Sequence, residues 1–163
     1  PSDTSFKVNP PLRTIEDVDA LRKGLQDGMI DVIATDHAPH SDLDKPGDFY
    51  KAANGISGIE LSFSVCYTHL VKSGVLTLNQ LVKKMSYNPS KILGIDGGEI
   101  KEGSKADIAI IDLNSEFVVD RNKLISKGKN TPYHGKMLQA EAVMTIAKGE
   151  IVYEKEGAID VYR

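Results

Sequence analysis

Asp36, His37 and His40 are the residues of this sequence best equipped for chemistry. They sit in Thr35-Asp36-His37-Ala38-Pro39-His40, directly after the apolar run Val32 to Ala34. A carboxylate in such a place can complete a zinc site or act as a general base. The same Asp can equally serve as a helix N-cap or a turn residue. The two histidines are three apart, but Pro39 between them opposes a metal-binding helix turn. On spacing alone each histidine fits a structural role as well as a ligand role. Asn9 precedes Pro10 and Pro11, which stiffen the backbone and could aim its amide at a carboxylate or carbonyl. An Asx turn is the plainer reading of Asn9. Gly55, in Asn54-Gly55-Ile56-Ser57-Gly58, allows close backbone approach to a ligand, or simply a turn.

These residues need elements to hold them. Val32 to Ala34 reads as a fully buried strand, so Asp36 falls at a strand's C-terminal end, where α/β proteins place their chemistry. A carboxylate there is costly to desolvate without a metal, a cation or hydrogen bonds. The strand, over 30–35, follows a helix over 14–28. That helix opens on Thr14 with Asp17, closes on Gly28, and presents Ile15, Val18, Leu21 and Leu25 on one face. Residues 41–56 form a polar loop of functional length. Ser57 and Glu60 predict a capping box for a helix running to Ser73-Gly74, with Ile59, Phe63, Cys66, Leu70 and Val71 inward. Thr77 with Gln80 caps a helix over 78–87, Leu78, Leu81, Val82 and Met85 inward. Asn88-Pro89-Ser90 breaks it and starts a short helix ending at Gly94. Helix after helix with one strand between is what the outer layer of an α/β barrel gives.

The character changes at Gly97-Gly98. Short strands are expected at 108–113 and 116–119, irregular chain over 120–140, and a hairpin in which 141–147 and 151–154 flank Lys148-Gly149-Glu150. The division is therefore residues 1–96 and a small β module at 97–163.

The totals exclude several classes. The 163 residues are 40% hydrophobic and 26% charged, a globular and not a disordered composition. A formal net charge of −3, with no Lys/Arg block, leaves no nucleic-acid footprint. No apolar run approaches the roughly 20 residues that span a bilayer, and no signal-peptide pattern is visible, so the expected location is the cytoplasm. Cys66 is the sole cysteine, which excludes an internal disulfide and a Cys-based zinc knuckle; core packing is its expected role. The opening Pro1-Ser2-Asp3 reads as the middle of a protein.

Lys7-Val-Asn-Pro-Pro-Leu-Arg13, Thr35-Asp-His-Ala-Pro-His40 and Gly55-Ile-Ser-Gly-Ile-Glu60 together resemble the dihydroorotases of the zinc amidohydrolase superfamily, of the type also found in multifunctional pyrimidine-synthesis proteins. Gly98 to Asp107 resembles the composite β module of that superfamily. Asn130 to Gly135 and the closing Val143 to Tyr153 fit the same family, so the resemblance covers nearly the whole chain. It implies an α/β fold, the C-terminal part of a (β/α)8 TIM barrel plus a small composite β-sandwich module. It also implies reversible, zinc-dependent cyclisation of N-carbamoyl-L-aspartate to dihydroorotate. Asp36 matches the aspartate that ligates the metal and shuttles the proton. Asn9 and His40 match residues that hold the substrate and its carboxylate, and Gly55 a position whose backbone contacts the pyrimidine ring. His37 supports the motif only.

The sequence also departs from the family pattern. It has no His-x-His pair, no bridging Lys or Asp with two further His ligands, and no substrate-binding Arg beside such a pair. A full barrel takes about 250 residues, and one carboxylate cannot hold zinc. The expectation is a fragment that is inactive alone and needs either the missing N-terminal part of the barrel or another copy of itself. Alternatives are another cyclic amidase (allantoinase or hydantoinase), or a non-catalytic dihydroorotase-like subunit.

Overall fold

The computed structural model describes residues 3–45 and 47–156. The ends of the expected segments 1–96 and 97–163, namely Pro1-Ser2 and 157–163, lie outside the described residues, as does Pro46.

Helix α1 spans Ile15–Gln26, and its start is the expected capping box. The Thr14 hydroxyl accepts from the Asp17 N–H, and the Asp17 carboxylate accepts from the Thr14 N–H at 3.2 Å. Asp27 ends the helix, and Gly28 follows at φ +79°, a left-handed turn that suits glycine. The apolar row exists but is not inward: no residue of α1 is buried, and Ile15 and Leu21 are 61% and 58% exposed.

The expected buried strand is the main correction. Residues 30–35 are extended but join no sheet, and Ala34 and Asp36 are exposed. The reason lies in what their backbone groups meet. The Ile33 N–H donates to the Lys84 carbonyl at 3.0 Å. The Lys84 ammonium donates to the Ile30 carbonyl, and the Asn88 amide to the Asp31 carbonyl at 2.8 Å. A helix end has captured groups that a strand would spend on a ladder. A parallel strand is buried only when neighbours and helices cover it. Among the described residues the sole strand-like neighbour is one parallel bridge, His37 to Ile56, with the Ala38 N–H donating to the Ile56 carbonyl at 2.9 Å.

Helix α2, Ser62–Cys66, runs on through a π turn at Tyr67–Val71. The Ser57/Glu60 box expected at its start is absent. Glu60 instead accepts from the Ile125 and Ser126 N–H groups at 2.7 and 2.8 Å, and the Ser57 hydroxyl donates to the Gly128 carbonyl at 2.6 Å. Its buried side is Leu61 and Ser64, while Ile59 is 54% exposed. Cys66 is half-buried, and burial pushes its thiol pKa up, as suits a packing thiol. Helix α3, Leu78–Val82, carries the expected Thr77/Gln80 box and continues through a π turn, Lys83–Tyr87, into α4, Asn88–Leu93. Asn88-Pro89 therefore does not break the helix: the π turn precedes Pro89, and the Lys84 carbonyl five residues back accepts from the Ile33 N–H instead. Leu81 is fully buried as expected, Val82 is not, and Lys84 is buried with its ammonium on the Ile30 carbonyl.

The remainder is an antiparallel sheet in the order β1-β2-β3: Ile108–Val118, Met137–Ala147 and Glu150–Glu154. The two short strands expected at 108–119 are one strand with an irregularity between Asp112 and Glu116. The hairpin falls at Lys148-Gly149, both at positive φ, as a tight two-residue turn requires. Strand β2 begins earlier than expected, at Met137. It docks on α2, with the Ser64 hydroxyl donating to the Ala140 carbonyl at 2.5 Å and the Gln139 N–H to the Thr68 hydroxyl at 2.9 Å. Leu61, Val119 and Leu138 form the buried cluster between helix and sheet, with Val65, Phe117, Leu124 and Tyr133 packed around it.

Candidate functional site

Four stretches distant in sequence meet where the extended segment 30–36 ends. The first is the turn 37–40. His37 faces inward, and its Nδ1 accepts from the Gly58 and Ile59 N–H groups at 3.2 and 3.3 Å. That nitrogen is therefore unprotonated, and His37 acts as a cap for the chain leading into α2. His40 sits differently. Its Nε2 donates to the Asn54 carbonyl at 2.9 Å, which leaves Nδ1 of a neutral ring to accept.

The second stretch is 54–58. Gly55 lies at φ +136°, a region L side chains rarely adopt. A methyl group there would lie 2.5 Å from the Ala38 Cβ, 2.9 Å from the Ala38 carbonyl oxygen and 3.2 Å from His40 Nε2. Only glycine lets these two turns come so close.

The third is 4–9. The Gly55 N–H donates to the Lys7 carbonyl at 3.0 Å, which ties this segment to the second. Asn9 is exposed and lines a pocket of about 370 Å³ together with Phe6, Lys7, Phe49 and Asn54. The polar loop after His40 is latched onto the same segment. The Lys45 ammonium donates to the Thr4 and Lys7 carbonyls at 3.0 and 3.1 Å, and Lys7 Nζ donates to the Tyr50 carbonyl at 2.9 Å. Burial draws the Lys45 pKa down, and the neighbouring Lys7 charge acts in the same direction.

The fourth is 128–131, expected as irregular chain and, from Asn130 on, as part of the family resemblance, with no site role. Asn130 is buried, and its side chain bonds to both turns at once. Its Oδ1 accepts from the His40 N–H at 2.8 Å and from the Ser57 hydroxyl at 3.1 Å; its Nδ2 donates to the Gly55 carbonyl at 3.0 Å and to the Ala38 carbonyl at 3.4 Å. An Asn before Thr-Pro is an ordinary turn signal, so only long-range contact distinguishes it. Gly128 packs as tightly, since a methyl group there would lie 2.7 Å from the His40 nitrogen.

His40 and Gly55 are thus brought together, with Asn9 beside them through Asn54 and Lys7. Asp36 stands apart. It is exposed, at φ +43°, and among the described residues its carboxylate has no hydrogen-bond partner. This corrects the expectation of a carboxylate desolvated at a buried strand end: without a sheet around the segment, water reaches it. Among the described residues no three His, Cys, Asp or Glu side chains converge as a metal site would require. The chain's own donors therefore do not fit a complete metal centre.

The isolated parallel bridge between His37 and Ile56, the turn carrying Asp-His-Ala-Pro-His and the glycine-tight neighbouring turn form one edge of a candidate site. The sequence profile of the Amidohydrolase family matches residues 9–152, and the chain belongs to that family. It is 56% identical over 154 residues to a dihydroorotase of Thermoanaerobacter sp. (strain X514), covering 94% of this chain and 36% of that protein. A dihydroorotase of Acetivibrio thermocellus is 52% identical over 154 residues, with the same coverage. Among solved structures, the L-hydantoinase (dihydropyrimidinase) from Arthrobacter aurescens superposes with a TM-score of 0.88 at 36% identity, over 94% of this chain and 35% of that one. The chain thus spans about a third of the length of the relatives it matches, with 36% coverage of the first two.

Proposed function

We propose that this chain carries the substrate-facing rim of a dihydroorotase, and that the whole protein interconverts N-carbamoyl-L-aspartate and dihydroorotate. The observation that carries this reading is the pairing of His40 with Gly55 across a gap no side chain could enter, in a stretch that is 56% identical to a dihydroorotase and 36% to an L-hydantoinase. In this reading residues 1–96 are the last strand-helix units of a TIM barrel and 97–163 a composite β-sandwich module.

The roles follow from chemistry. The Asn9 amide offers donors to the substrate carboxylate, an acceptor-only group when ionised, and His40 joins it when substrate takes the Nε2–H now donated to the Asn54 carbonyl. The Gly55 backbone lies where a flat ring can approach without meeting a side chain. Asp36 moves the proton. In cyclisation it accepts a proton from the attacking carbamoyl nitrogen as the N–C bond forms and delivers it to the hydroxyl that leaves the carboxyl carbon as water. In hydrolysis it takes a proton from the attacking water and gives it to the departing nitrogen as the C–N bond breaks. Zinc is the metal we assign to the whole protein. This chain supplies at most the Asp36 carboxylate, too few donors to hold the ion, so no step is derived through it here.

The test is turnover of dihydroorotate, allantoin and hydantoin by the full-length protein and by its Asp36→Asn variant. The expected result is activity on dihydroorotate alone, falling about 10²–10⁴-fold in the variant. Activity on hydantoin or allantoin without dihydroorotate turnover would assign another cyclic amidase, and no turnover at all a non-catalytic subunit. The isolated 163-residue chain is expected to be inactive and to bind zinc poorly.

A further inference from the structure

We propose that Asn130 is a positioning residue that sets substrate affinity by clamping the His40 turn to the Gly55 turn. The proposal rests on the dihydroorotase reading and goes beyond it, because Asn130 acts only from behind, through the backbone of the His40 and Gly55 turns. Its side chain is a buried amide with every polar group engaged. The oxygen holds the His40 N–H at 2.8 Å, and the nitrogen holds the Gly55 carbonyl at 3.0 Å. One planar group therefore braces from behind the two backbone segments that carry the substrate-facing groups, which also meet directly through the Ala38 N–H to the Ile56 carbonyl and His40 Nε2 to the Asn54 carbonyl. No other side chain hydrogen-bonds to both turns' backbone among the described residues. The partners are 90 and 75 positions away in sequence, so no local turn preference could hold this geometry.

Polarity makes the clamp specific. An Asp at 130 has the same shape and still accepts from His40 and Ser57. It cannot donate, and it would set a carboxylate oxygen against the Gly55 and Ala38 carbonyls. A buried acceptor facing acceptors is costly. The turns should separate on the Gly55 side, while the region before Ala38, including Asp36, keeps its position. Binding should suffer and the chemical step should not.

The experiment uses full-length protein with Asn130→Asp, Gly128→Ala and Ser57→Ala. Asn130→Asp should raise KM for dihydroorotate about tenfold or more, with kcat within about threefold of wild type and metal content unchanged. Gly128→Ala leaves Asn130 in place but pushes the 128–131 segment off the His40 backbone, and should give the same split. Ser57→Ala removes one donor to the Asn130 oxygen and the partner of the Gly128 carbonyl while the Asn130 bonds to His40 and Gly55 remain, and should raise KM by less than Asn130→Asp does. Equal losses in kcat and KM, an unchanged KM in Asn130→Asp, or failure of both clamp variants to fold would overturn the proposal. Absence of wild-type turnover would sink the functional reading instead. The clamp is then judged from crystal structures of wild type and Asn130→Asp, and unmoved 38–40 and 54–55 backbones would refute it.

Discussion

Gly55→Ala offers the sharpest test of the site's geometry. The new methyl would stand 2.5 Å from the Ala38 Cβ and 2.9 Å from the Ala38 carbonyl oxygen, where ordinary contact begins at 3.4 Å. Neither neighbour is a flexible side-chain end, so the turns must part by about 0.9 Å to regain that 3.4 Å from 2.5 Å. Holding an L residue at φ +136° adds backbone strain, of order 1–3 kcal/mol. Overpacking adds about 1–3 kcal/mol more. A displacement near 1 Å at a substrate-positioning element costs roughly 10²-fold in rate. Full-length Gly55→Ala should therefore melt several degrees below wild type and lose about two orders of magnitude in kcat/KM for dihydroorotate. Gly58→Ala is the matched control. Nothing lies within 4 Å of its added methyl, and its N–H to His37 survives. It should be neutral or stabilising by up to about 1 kcal/mol. If Gly55→Ala keeps kcat/KM within twofold of wild type while folded, the close approach of the two turns has no functional weight and the site assignment fails.

Three further outcomes are expected. His37→Ala removes the acceptor of the Gly58 and Ile59 N–H groups and should cost about 1–2 kcal/mol in denaturant unfolding; an unchanged midpoint would show that water replaces the cap. Leu138→Ala empties a site only 1% exposed and should cost about 2–5 kcal/mol, measured the same way; a loss under 1 kcal/mol would mean the helix–sheet cluster does not act as a core. Asp44 is held below the usual carboxylate range by the Ser41 hydroxyl and N–H. Because its folded pKa is depressed, its contribution is present above the unfolded value of about 4. It fades as pH falls through the lower folded value, so the melting difference between wild type and Asp44→Ala should close below about pH 4. A difference that persists at lower pH would refute the assigned cause.

Local signals in the sequence carried well. The Thr14/Asp17 and Thr77/Gln80 boxes, the left-handed Gly28 and Gly94 and the Lys148-Gly149 hairpin all depend on neighbours a few residues away. What failed depended on distant partners. Ser57 and Glu60 have the composition of a capping box, yet both are drawn to 125–130, where bonds to otherwise unpaired backbone groups compete successfully. The run at 32–34 has the composition of a buried strand, but burial needs neighbours; the side chains of Lys84 and Asn88 hold the Ile30 and Asp31 carbonyls just before it, and the Ile33 N–H goes to the Lys84 carbonyl. Within the site, Asp36, His40, Asn9 and Gly55 carried roles implied by motif resemblance, whereas Asn130 lay in a segment that fits the family but carried no assigned role.

The irregular segment between β1 and β2 explains why the β module belongs to the site at all. Residues 120–136 carry little regular structure apart from one short 3-10 turn at Arg121–Lys123, so their own backbone bonds cannot fix their path. They are held at both ends by the buried Val119 and Leu138, and midway by Glu60, whose carboxylate takes two of their N–H groups. Ordering a loop of this length against a site costs entropy that only such anchors offset. The return is access: the loop carries Gly128 and Asn130 to the back of the His40 turn, which the short connections around residues 37–58 could not reach themselves. Packing between α2 and the sheet therefore reaches the proposed substrate rim through one loop. Variation in the Leu61–Val119–Leu138 cluster should shift affinity as well as stability, in a way that variation around the fully buried Leu81 should not.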